Sequence, residues 1–167
     1  GVGALAKLSI GLLPLFTGLA MALHRPWRRL FLAREPWLAA AIVALCMAPM
    51  IAWNAAHGWV ALRHEQGHVL GHGDPSGHLG EFLAGQALAL SPVVAGLLAL
   101  ALVRLPREPG LRLVWLVSAG VLAFFLVKAG LSKVQPNWPA PAYIGLVVLA
   151  AGHLGAWGAA GRRWLAA

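Results

Sequence analysis

The run 79–103 holds a single charged side chain, Glu81, and four other stretches, 2–23, 36–53, 113–131 and 139–160, each carry one charged side chain at most. Apolar runs this long and continuous constrain the chain more than any other feature. They match the ~20 residues needed to cross a bilayer core as a helix, with 36–53 near the short limit. Unpaired backbone cannot sit in hydrocarbon, and no period-two alternation runs through these stretches, so helices are expected rather than strands. The whole sequence agrees: 60% of its 167 residues are hydrophobic and 11% are charged, against about a quarter charged in soluble domains. The expected fold is therefore all-α, a polytopic transmembrane bundle of about five spanning helices in a single membrane region. Pro14, Pro49 and Pro92 fall inside three of the runs, where membrane helices accommodate proline as kinks.

The formal net charge of +8 does not point to nucleic acid, because the basic residues are gathered between apolar runs rather than on one polar face. Arg25, Arg28, Arg29 and Arg34 follow the first run, Arg104, Arg107 and Arg112 follow the third, and Arg162 and Arg163 close the chain. If five helices alternate, these nine of the thirteen basic residues share one side. The positive-inside rule makes that side cytoplasmic and turns 54–78 and 132–138 outward. Trp27, Trp37, Trp53, Trp59, Trp138 and Trp164 lie near the ends of the runs, as interfacial anchors do. The lone Cys46 precludes an intrachain disulfide. The sequence opens at Gly1-Val2-Gly3, inside a hydrophobic run and without a charged leader. It is expected to be a piece of a longer membrane protein.

Chemistry gathers on the outward side. Lys7 and Lys128 lie toward the outer ends of the first and fourth runs, and Lys133 follows in the short loop SKVQPNW. A lysine in such a setting either snorkels to the headgroups or binds something. An ammonium at that depth is placed to hold a lipid phosphate as a point charge. Lys133 is distinguished by Pro136, Pro139 and Pro141, which stiffen the segment after it.

The other outward loop contains HEQGHVLGHGD, and with it His-Glu-x-x-His, the spacing that sets two imidazoles one helical turn apart. His64 and His68 with Glu65 would form a zinc-protease core, and His72 or Asp74 a third ligand. Against this, Met21, Met47 and Met50 all precede the motif, which leaves no downstream methionine turn. Gly67, Gly71 and Gly73 disfavour the helix the motif needs, each by about 1 kcal/mol. A solvated, pH-responsive loop or incidental binding of a divalent metal is the better expectation. A transporter is a third alternative, but its mark would be charge near the helix centres, which these runs lack.

WNAAHGW after the second run, GQALALSP in the third, and SKVQPNWPAPAY before the last resemble family-39-type glycosyltransferases. These are bacterial relatives of protein O-mannosyltransferases and of the aminoarabinose transferase that modifies lipid A. The resemblance extends over the whole chain, GALAKLSIGLLPLF included, and NWPAPAY with its preceding Ser-Lys is its most specific part. It implies a GT-C membrane fold in a bacterial inner membrane. It also implies transfer of a sugar from a polyprenyl-phosphate donor to a glycolipid or protein acceptor on the extracytoplasmic face. The family's catalytic aspartate lies in an early outward loop, for which this sequence has no matching segment. By position Lys7 and Lys133 match family lysines, with Lys128 beside them as a further phosphate ligand. His57, Trp59, Asn137, Trp138 and Tyr143 belong to the motifs at the active-site mouth. No cofactor is firmly implied.

Overall fold

The computed structural model describes residues 3, 8–60, 63 and 75–165, of which 8, 75–77 and 155–165 are described as backbone only. The described residues are helical throughout their ordered elements, with no strand among them. Among the described residues the α-helices, in chain order, are α1 Leu12–Leu23, α2 Glu35–Ala56, α3 Pro75–Leu90, α4 Pro92–Val103, α5 Pro109–Leu131 and α6 Ala140–Leu165. Two 3-10 helices, Leu8–Gly11 and Arg25–Leu32, precede and follow α1. Both α2 and α5 are long and apolar enough to cross a membrane, and the α3–α4 pair would make a third if its two halves form one broken span. The shorter apolar stretches Ser9–Leu23 and Ala140–Leu154 complete a bundle of membrane character.

The expectation of one continuous helix over 79–103 is corrected: α3 and α4 meet at a bend of 110°. Proline alone does not explain this, because α2 runs unbroken through Pro49. The difference lies in the residue before it. Ser91 can cap a new helix: its hydroxyl accepts from the Val94 N–H at 3.5 Å, and Pro92 occupies a first-turn position where no N–H is needed. Ser91 is held at φ 60 and ψ 151, a conformation costing of order 1–3 kcal/mol in a non-glycine residue. Ala48 before Pro49 has no side-chain acceptor, and the helix continues. Pro14 sits in the first turn of α1, where its missing donor matters little.

The remaining boundaries also shift. The helix expected from 113 begins at Pro109 because the Glu108 carboxylate accepts from the N–H groups of Gly110 and Leu111 at 3.0 and 2.6 Å. The basic connection after α1 is the 3-10 helix Arg25–Leu32 rather than a loop, with Arg28 donating to the Ala22 carbonyl at 2.6 Å.

The centre of the bundle is α5, which packs on α1, α3 and α6. One core cluster joins Phe82 of α3 with Val121, Phe125 and Ala129 of α5, Val134, and Ala142 of α6. A second joins Leu98 and Ala101 of α4 with Leu146, Leu149 and Ala150 of α6. Small residues allow the close approaches: the Phe16 ring lies against Gly120, and Ser118 and Val114 against Gly145. By contrast α2 leans on the 3-10 helix Arg25–Leu32 and leaves most of its surface uncovered.

Candidate functional site

The segment 132–139 closes one end of the bundle in an alternating pattern. Ser132 and Val134 point inward, Lys133 and Gln135 outward, and Trp138 packs with the first core cluster, its ring 6.3 Å from that of Phe125. Pro139 is among the most fully buried side chains of the described structure. The two inward anchors and the buried proline fix a short strap, so the outward side chains are presented from a rigid base.

Two lysines expected together therefore end in opposite environments. Lys128, in the last turn of α5, is 6% exposed. Its ammonium donates to Ser132 Oγ at 2.7 Å and stands 5.4 Å from the centre of the Trp138 ring. The Ser132 N–H returns a bond to the Lys128 carbonyl at 2.8 Å. A cation at a helix C-terminus also meets the negative end of the macrodipole. A hydroxyl, an aromatic face and that dipole together offset burial of the charge. Lys128 thus holds the strap to α5.

Lys133 faces outward, with its side chain 67% exposed, and its Nζ lies 2.7 Å from Glu81 Oε1 on α3. Next to this pair the strap meets α3 twice more. Gln86 Nε2 donates to the Pro136 carbonyl at 3.1 Å, and a Cβ placed on Gly85 would stand 2.8 Å from Pro136 Cγ, so only glycine admits this approach. Gln86 in turn accepts from the Tyr143 hydroxyl through Oε1.

Behind these contacts lies an apolar groove with a volume of about 620 Å³. Its floor is α5 (Trp115, Ala119, Leu122, Leu126), and its walls are α3 and α4 on either side of the bend. The bend makes the groove, since a straight helix over 79–103 would have no inner angle to enclose. Trp115 closes its far end, with its indole N–H donating to the Leu102 carbonyl at 2.7 Å. At the near end Phe82, Gln86 and Tyr143 line it, and Gln86 links it directly to the strap that carries Lys133.

Tyr143, Trp138 and exposed Asn137 are therefore gathered with Lys128 and Lys133 at one end of the bundle. His57 and Trp59 belong to a different structure, the C-terminal turn of α2. The His57 ring stacks on Trp53 at 4.2 Å, with a ring nitrogen 2.7 Å from the Trp53 carbonyl. The Trp59 N–H donates to the Asn54 carbonyl at 2.7 Å, and Gly58 and Trp59 take φ 68 and 60. Asn54 is buried, with its Nδ2 donating to the Met50 carbonyl at 3.0 Å. Lys7 and the whole of His64, Glu65, His68, His72 and Asp74 lie outside the described residues. Among the described residues no three His, Cys, Asp or Glu side chains come together as a metal site.

Comparison with known protein families, with curated proteins and with solved structures finds no match for this chain. Sequence reasoning did not single out Gln86 and Gly85, and it gave Glu81 no part beside Lys133; the available signals were a glutamine in the interior of an apolar run and a lone carboxylate at its start.

Proposed function

We propose that this chain forms the donor-lipid side of a membrane glycosyltransferase that moves a sugar from a polyprenyl-phosphate carrier to an acceptor on the extracytoplasmic face. The observation that carries the reading is the pairing of an apolar groove with an outward ammonium, Lys133, on a rigid strap at its end. A polyprenyl phosphate has the matching form, a long apolar chain ending in an anion. The motif SKVQPNWPAPAY, whose resemblance suggested this chemistry, comprises this strap and the first residues of α6.

The role of each group follows from the reaction. Breaking a glycosidic bond to a lipid phosphate leaves negative charge on the phosphate, and a fixed cation aimed at that charge lowers the barrier. Lys133 supplies the cation, Lys128 with Ser132 and Trp138 holds the strap, and the groove orients the carrier. Removing the acceptor's hydroxyl proton requires a base, which the family pattern assigns to an aspartate without a counterpart in these residues.

Sugar transfer by the intact enzyme in vesicles, with and without Lys133→Ala, tests this. Loss of a charge-assisted contact predicts a fall in kcat/KM of about tenfold or more. Transfer at the wild-type rate would remove Lys133 from the reaction and the reading with it.

A further inference from the structure

The ammonium assigned to the phosphate is already occupied. Glu81 Oε1 lies 2.7 Å from Lys133 Nζ, and the carboxylate is 56% exposed. It stands on the first part of α3, one residue before Phe82, which lines the groove and is 4% exposed. A phosphate arriving at Lys133 meets a carboxylate in the place it needs.

We infer that Glu81 is a competing internal anion for the lipid phosphate, and that phosphate binding exchanges the Lys133–Glu81 pair for a Lys133–phosphate pair. The inference rests on the reading of Lys133 given above. In the empty state the pair ties α3 to the strap, beside the Gln86–Pro136 bond and the Gly85–Pro136 contact. Exchange removes the one ionic tie and leaves the uncharged ones, so α3 stays on the strap while its first turns are released at the groove's outer end. The consequence is weaker phosphate binding than Lys133 alone would give, which favours release of the lipid phosphate after transfer. No covalent step is involved, and the carboxylate passes to water as the phosphate takes its place.

Two features set the size of the effect. Both partners are largely exposed, so the pair is a weak one of the kind that contributes little on a protein surface. A carboxylate left beside a bound phosphate also repels it, which adds to the competition in the same direction.

The test is a double-mutant cycle on binding of a polyprenyl monophosphate by the intact protein in phosphatidylcholine nanodiscs, with the unphosphorylated polyprenol as a second probe. Glu81→Gln is expected to tighten monophosphate binding about threefold and to leave polyprenol binding unchanged. Lys133→Ala is expected to weaken the monophosphate alone, and Glu81→Gln added to Lys133→Ala to tighten it by less than in the wild-type background, because only the direct repulsion is then relieved. If Lys133→Ala weakens binding while Glu81→Gln leaves it unchanged or weaker, the competition is refuted and the role of Lys133 stands. If Lys133→Ala binds the monophosphate as the wild type does, the role of Lys133 fails and the competition fails with it.

Discussion

Helices α2 and α5 are alike in sequence and unlike in structure. Their best windows have mean hydropathies of 1.9 and 2.1, yet 6% of the first window is buried inside the bundle and 22% of the second. On α2, Leu38, Ile42 and Leu45 are all more than 60% exposed. On α5, Val121, Phe125 and Ala129 are at most 3% exposed. Hydropathy reports the solvent a helix can tolerate, and in lipid that solvent is as apolar as a leucine side chain. What separates the two helices is their neighbours. Ser118, Gly120 and Lys128 lie where α5 meets other parts of the bundle, whereas α2, though rich in alanine, leaves most of its residues exposed and buries Asn54.

Leucine at position 120 should break the contrast most severely. The Phe16 ring already lies against Gly120, so Gly120→Leu must separate α1 from α5. The expected outcome is loss of the monodisperse species in detergent. Ile42→Ala, on an exposed face of α2, is expected to leave thermal stability within about 0.5 kcal/mol of wild type. Comparable losses for the two would mean that α2 is as firmly packed as α5.

The C-terminal ends of the two helices provide a second, smaller contrast. Lys128→Ala removes a buried hydrogen bond and an aromatic contact and leaves a space under the strap, for an expected loss of about 2 kcal/mol. His57→Ala removes an exposed stacking partner of Trp53, with an expected loss below about 1 kcal/mol. Thermal melts of both variants in one detergent make the comparison.

The smallest effect lies at the N-terminal ends. The N–H groups of Leu111 and then Gly110 hold the Glu108 carboxyl below its ordinary value of 4.5. A carboxylate with a depressed folded-state pKa contributes stability above its unfolded pKa and loses it as the pH falls through the folded one. Acid melts of Glu108→Gln should accordingly lack a decline below about pH 4.5 that the wild type shows. No side chain caps the start of α2 at Arg34, so Arg34→Gln is expected to leave the acid limb unaltered.

The elements that could be read from the sequence were those fixed by composition. Absence of charge over long runs set the helices and their membrane character, while the start of α5 at Pro109 instead of 113 depends on the Glu108 cap, which apolarity alone does not register. The fold of 79–103 was not legible, because Pro92 and Pro49 read alike until Ser91 is seen capping a helix and Ala48 is not. Nor could sequence tell the two outer lysines apart. Lys128 and Lys133 are five positions apart on one short segment, and only the inward turn of Ser132 and Trp138 decides which is covered. The partners Glu81 and Gln86 come from about fifty residues earlier and meet the strap only because α3 folds against it. The histidine motif was the easiest pattern to find, and it lies outside the described residues.

The proposed function requires the strap and its lysine to stand on the opposite side of the membrane from the arginine-rich connection before α5. Helix α5 separates the two, with Gln135 exposed beyond one end and Arg107 exposed before the other. Its 23 residues span about 34 Å, enough to cross the hydrocarbon core. In a Cys46→Ser background, Gln135→Cys and Arg107→Cys can be challenged in intact cells with a maleimide that does not cross membranes. Labelling at 135 without permeabilisation, and at 107 only after it, is the predicted result. Labelling of both positions from outside, or of 107 alone, would contradict the account.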